Sequence, residues 1–193
     1  MSNISSRREF LAQGAAVGGA CLLTFAIGGC ETRMTPAEAR SAQVPFRTLS
    51  ASEVETLDAL GNVLLPGSAS AGLAHFIDHQ LSGEPADSML MIKYLGVAAP
   101  FDDFYRGGLR AFEASSQATH GKPFSALAPD ESTDLVKRMS AGQIDGWQGP
   151  PAGLFYFVVR NDAVDVVYGT QSGFEQLGVP YMAHIAPPSR WGE

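Results

Sequence analysis

Few side chains in this chain stand at spacings that chemistry uses. His75 and His79 are four residues apart, which puts both imidazoles on one face if the segment is helical. Zinc hydrolases use that spacing, with Glu directly after the first His as the general base. Phe76 occupies that place here, and no third ligand is evident. The pair therefore reads as two partly exposed histidines flanking a core face. Asp102 and Asp103 offer two carboxyls, but neighbours on a helix do not face each other. They suit the first turn of a helix, where negative charge meets the positive end of the dipole. Phe101, Phe104, Tyr105, Leu109 and Phe112 form an aromatic stripe that reads as core packing rather than a cofactor wall.

The familiar motifs of catalysis are not found. There is no Gly-x-Ser-x-Gly elbow, P-loop or dinucleotide fingerprint, and no Cys-x-x-Cys-His for a covalent c-type haem. On this reading the chain is not an enzyme. No residue is assigned to catalysis, cofactor binding or metal binding.

The elements that would carry these residues are helical. Ser50 and Glu53 have capping-box spacing, and Val54, Leu57, Leu60 and Leu64 recur on one face until Pro66-Gly67. A second helix is expected from about Ala71 to Leu81, and a third segment from Asp87 to Leu95. Pro100 suits the first position of a helix running to His120, which Gly121 caps. Lys122-Pro123-Phe124 reads as extended. Pro129 opens a helix to about Ala141, and Ala152 to Tyr168 forms the last long one, closed by Gly169. The tail from Gly173 to Glu193 is proline-rich, and no convincing alternating strand is found. The expected class is all-α: an irregular domain of about five to six helices with an extended C-terminal tail.

The N-terminus carries a different kind of information. Ser6-Arg7-Arg8-Glu9-Phe10-Leu11 precedes a glycine-containing apolar run from Ala12 to Gly29. Its basic start, apolar middle and small residues have the form of a secretory leader, excluded from fold reasoning. Arg7, Arg8, Phe10 and Leu11 fall where a twin-arginine export signal places them, and Ile27-Gly28-Gly29-Cys30 has the form of a lipobox. The expected organisation is a signal peptide over 1–29, a lipid-attached linker over 30–49 with Cys30 acylated, and a helical domain over 50–193. The expected location is periplasmic and membrane-attached.

Composition narrows the partners. The formal net charge is −7 and no basic cluster occurs, so nucleic-acid binding is disfavoured. The two cysteines are Cys21, within the leader, and Cys30, which leaves the domain no internal disulfide and no thiolate metal site.

Several stretches, in order, resemble one family. Leu57 to Gly72 resembles an opening helix and the loop that follows it. Tyr105-Arg106-Gly107-Gly108-Leu109, with Gly121-Lys122-Pro123-Phe124-Ser125-Ala126-Leu127, resembles a central helix and turn. Tyr168-Gly169-Thr170, Leu177-Gly178-Val179-Pro180-Tyr181 and Trp191 resemble a tail. These are similar to the gluconate 2-dehydrogenase subunit 3 family, the gamma subunits of membrane-bound flavin-dependent sugar and sugar-acid dehydrogenases. The resemblance implies a helical accessory subunit that supports maturation and twin-arginine export of a large flavoprotein of the glucose-methanol-choline type. A cytochrome c subunit often accompanies it, so FAD and haem c would lie in partner subunits. This chain departs from the family pattern near its end, where the usual Tyr-Gly-Gly-Asn is Tyr168-Gly169-Thr170-Gln171, and at Cys30, which suggests an anchor of its own.

Tyr181, Met182, His184 and Trp191 in the tail are candidate partner contacts, since aromatic residues and Met are enriched in interfaces. The same tail would equally suit wrapping its own domain. Two other functional readings stand beside the subunit: an independent enzyme of unknown type, and a free-standing lipoprotein with a binding role.

Overall fold

A computed structural model describes residues 22–27 and 30–179. Within them the chain is mostly helical, as its periodicity predicts. After a short hairpin of β1 (Leu23–Ile27) and β2 (Cys30–Met34) come α1 (Pro36–Ser41), α2 (Ala51–Leu64), α3 (Leu73–Ser82), α4 (Asp102–His120), α5 (Pro129–Ser140), α6 (Ala152–Tyr168) and α7 (Gln171–Gln176). Helices α2 and α6 form the centre: α2 touches α3, α4, α5 and α6, and α6 also touches α3, α4, α5 and α7.

Local chemistry explains most boundaries. At α2 the Ser50 side chain accepts from the Glu53 N–H, and the Glu53 carboxylate accepts from the Ser50 N–H at 2.8 Å. These reciprocal bonds satisfy donors that a helix start leaves orphaned. Thr35 and Glu38 make the same box at α1. Pro129 opens α5, where Glu131 accepts from the Ala128 N–H at 2.9 Å. Gly121 caps α4 in the left-handed conformation.

Several expectations shift. Helix α4 starts at Asp102 with Phe101 as its cap, so Pro100 stands outside the helix rather than at its first position. Asp87 to Leu95 is not an α-helix. One 3-10 turn, Pro85–Asp87, ends where it begins and a second, Met91–Leu95, closes it, with Leu90 extended between them. Lys122-Pro123 leads into a further 3-10 turn, Phe124–Ala126, rather than an extended run.

The hairpin was not expected from sequence. Leu23 and Phe25 point into the core and Thr24 outward, the period-2 pattern of a half-buried strand, hidden inside a stretch that also reads as a leader. The segment from Pro36 to Leu49, read as a tether, packs on the helices. Ala39, Val44 and Leu49 are buried, and Asp78 on α3 accepts backbone N–H bonds from Arg47, Thr48 and Leu49 at 2.8–2.9 Å.

Two glycines permit close approach. Gly72, at φ +88°, caps α3, and a Cβ there would overlap the Pro36 carbonyl of α1. Gly108 lets α4 cross α6, since a Cβ would overlap the Phe155 ring.

Candidate functional site

The histidine pair is structural in its contacts. His75 is buried, and its Nε2 lies 3.1 Å from the Val44 carbonyl. The His79 Nε2 lies 3.0 Å from the Thr24 carbonyl. A carbonyl only accepts, so each Nε2 carries the proton and donates. Phe46 packs on the His75 ring at 4.4 Å between centroids, and Phe25 meets His79 edge-on at 5.1 Å. Burial is the largest influence on both imidazoles and holds their pKa below the usual 6.5. One helical face thus carries two neutral histidines, each tied to a different part of the N-terminal segment. His75 is more enclosed than the sequence suggests. No group of three potential metal ligands occurs among the described residues.

Asp102 and Asp103 stand in the first turn of α4, as expected. One turn on, Arg106 Nε bonds the Glu53 carboxylate of α2 at 3.1 Å, joining the two helices. Of the aromatic stripe, Phe101, Tyr105, Leu109 and Phe112 are buried and Phe104 is half-buried, so the stripe forms core. Phe112 packs against Phe124 at 4.5 Å.

The most unusual group is one the sequence reading passed over. Asp162 on α6 is fully buried. Its Oδ2 accepts from the Tyr105 hydroxyl of α4 at 2.6 Å, and its Oδ1 from the Met91 N–H at 2.9 Å. Burial disfavours the charged form and raises the carboxyl from 3.8 to about 7, although both bonds oppose the rise; nearby Asp165 adds to it. The same burial, with Asp162 alongside, pushes the Tyr105 phenol well above its normal range. Helical period held the clue: Phe155, Val158, Val159, Asp162 and Val166 fall on one face, and the carboxyl sits among four apolar side chains. Asp162 fastens α4, α6 and the Met91–Leu95 turn from inside. It does not line the surface cleft, so it has no route to a substrate there.

That cleft has a volume of about 890 Å³ and opens to the surface. Its walls come from the start of α1, the Pro66–Ala71 loop with Phe76 of α3, Met89, and the C-terminal turn of α6 with α7. Pro36, Pro66, Phe76 and Val166 make much of it apolar, while Asp165 and Glu175 supply carboxylates. Burial raises the Asp165 carboxyl. Among the described residues the lining holds hydroxyls but no histidine, cysteine or lysine.

The residues expected to carry the export signal, Arg7, Arg8, Phe10 and Leu11, lie outside the described residues, as do Tyr181, Met182, His184 and Trp191. Cys30 opens β2, and its side chain is likewise outside them.

What these elements define is a small, mostly helical domain in which several buried polar groups bond its own backbone. A family model described as gluconate 2-dehydrogenase subunit 3 matches residues 51–185, well over half of the chain. The chain belongs to that family, that of an accessory subunit of a dehydrogenase. No curated protein and no solved structure matches it.

Proposed function

We propose that the chain is the non-catalytic gamma subunit of a periplasmic, membrane-bound, flavin-dependent dehydrogenase of sugars or sugar acids. In this role it assists maturation of the catalytic subunit and its twin-arginine export, and anchors the complex through Cys30. The observation that carries the reading is the family match over 51–185. The paired Arg7-Arg8 ahead of an apolar run supports the export role, and Ile27-Gly28-Gly29-Cys30 supports the anchor. FAD and haem c lie on partner subunits in this reading. The residues of this chain fit neither group: the sequence has no dinucleotide fingerprint and no Cys-x-x-Cys-His.

A signal on one chain serves a bound partner that lacks its own, because the twin-arginine route carries folded cargo. The test is to replace Arg7 and Arg8 with Lys and fractionate cells that express the chain with its flavoprotein partner. The partner stays in the cytoplasm if the signal is shared; normal export of the partner refutes a shared signal. Cys30→Ala should shift the exported complex from the membrane to the soluble fraction, and an unchanged distribution refutes anchoring.

A further inference from the structure

We propose that α3 and β2 form a strand-acceptor site. The precursor fills it with the end of its own leader, and processing ahead of Cys30 opens it to an extended apolar segment of a subunit that joins after export. This rests on the reading of 1–29 as a signal peptide removed before an acylated Cys30.

Strand β1, Leu23–Ile27, lies inside that leader. A leader is absent from a mature protein, yet this one is built into the fold. It pairs antiparallel with β2 in a fixed register, Leu23 opposite Met34 and Phe25 opposite Thr32. Leu23 and Phe25 are buried and belong to the hydrophobic core. Between them the Thr24 carbonyl accepts from His79 Nε2 of α3 at 3.0 Å, and the Phe25 ring meets that imidazole edge-on. A two-stranded hairpin alone is at best marginally stable in water, so its contacts with the helices hold it in place. The strand that chiefly packs on α3 is β1.

Cleavage ahead of Cys30 removes this strand and leaves its seat. The seat offers places for two apolar side chains two residues apart, the His79 Nε2 donor for the carbonyl between them, and the backbone of β2 as a pairing edge. An unpaired edge beside apolar surface is a template for another strand. The ligand is therefore an extended peptide with apolar side chains at i and i+2, the pattern of β1 itself. Timing selects the partner. While the leader is attached the seat is closed, so an escorted catalytic subunit binds elsewhere on the chain. The strand that enters comes from a subunit that meets the chain after cleavage.

The experiment starts from the full chain with a protease site inserted between Gly29 and Cys30. After cutting, the leader should separate on gel filtration and the circular dichroism of the helices should persist. Hydrogen exchange within Glu31–Met34 should then quicken by about tenfold or more. A synthetic peptide of residues 22–27, with a lysine tag for solubility, should bind the cut chain saturably and restore slow exchange. A tethered segment has an effective concentration in the millimolar range, so a millimolar or tighter Kd for the free peptide is enough to seat β1 in the precursor. Phe25→Asp in the peptide should weaken binding by about tenfold or more, since it places a charge in an apolar seat. The purified dehydrogenase complex should not bind the peptide, because its seat is filled. Loss of the helical signal when the leader leaves overturns the proposal and makes β1 a permanent strand of the domain. Retention of the cut leader overturns it, as does a failure of the peptide to bind at millimolar concentration. Peptide binding to the complex as tight as to the cut chain overturns the subunit as occupant. Mass spectrometry of the exported chain checks the leader separately: a chain that keeps residues 1–29 overturns opening by processing, whereas peptide binding to the cut chain reports on the seat alone.

Discussion

Asp162 should make this domain lose stability as the pH rises, the reverse of the usual behaviour of a carboxylate. Its folded pKa is about 7 against 3.8 for the free side chain. Between those values the unfolded chain has released a proton that the folded chain retains, so stability falls with pH across the window and levels off above about 7. About three units at 1.36 kcal/mol each set a ceiling of about 4 kcal/mol. That is a large share of the roughly 5–15 kcal/mol that holds an ordinary domain together. The perturbation is Asp162→Asn. Asn still accepts from the Met91 N–H, but its amide donates toward Tyr105, whose hydroxyl hydrogen then lacks an acceptor. That mismatch costs about 1–3 kcal/mol at every pH. Urea unfolding followed by circular dichroism should therefore show the variant well below wild type at pH 5, with the gap closing by pH 8. His75 and His79 contribute in the opposite sense: their folded values lie below 6.5, so the stability they add above that pH is lost as pH falls through the window beneath it. They are present in both proteins and cancel in the difference. Parallel curves for wild type and variant would refute the assignment of a raised carboxyl. Tyr105→Phe supplies a second check. It removes a bond that favours the carboxylate, so the folded pKa should climb further and the fall with pH should continue to a higher pH before it levels off.

Three other outcomes follow from the packing. Gly108→Ala forces a methyl into the Phe155 ring at the α4–α6 crossing, and overpacking of that kind should cost about 1–3 kcal/mol by denaturant midpoint. Asp78→Asn replaces one of two accepting oxygens with a donor opposite backbone N–H groups. It should destabilise the chain by about 1–3 kcal/mol and speed hydrogen exchange at Arg47, Thr48 and Leu49 ahead of the rest of the domain. Removal of residues 1–29 takes away the Thr24 carbonyl and the Phe25 ring that enclose His79. The His79 imidazole should then titrate closer to 6.5 than in the longer chain, measured by NMR, while His75, held by Val44 and Phe46, should stay low.

Where local chemistry decides the structure, the sequence was readable. The Ser50/Glu53 box, the Gly121 cap and the apolar faces of α2, α4 and α6 involve residues within a turn or two of each other, and periodicity reports them. The 85–95 stretch was misread because its backbone is directed from elsewhere. The Met89 N–H goes to Gln80 on α3 and the Met91 N–H to Asp162 on α6, seventy-one residues away. Asp162 and Asp78 were passed over for a related reason: a lone aspartate in a helix usually faces water. Only tertiary packing reveals that these two are enclosed and bonded to distant backbone. The cleft could not be read from sequence at all, since its walls come from four separate stretches.

The same long-range bonds bear on how the domain would sit at a membrane. A linker of Pro- and Ala-rich sequence implies a long, loose tether between Cys30 and the first helix. Instead, the stretch before α2 is fixed three times to α3: by Asp78 to the backbone of Arg47, Thr48 and Leu49, by His75 to Val44, and by Ala39 in the core beside it. What remains between Cys30 and the packed start of α1 is β2, five residues at about 3.3 Å each, or roughly 17 Å. Under the proposed lipidation the helical domain would ride close to the bilayer rather than at the end of a flexible arm. The chain's net charge of −7, to which the leader contributes only Arg7, Arg8 and Glu9, would then work against close approach to anionic headgroups. Inserting ten Gly-Ser residues after Met34, ahead of the Thr35/Glu38 box, separates the two cases. If close attachment orients the complex, the insertion should leave membrane association intact while weakening electron delivery to a membrane acceptor. Unchanged delivery would show that the short attachment has no such role.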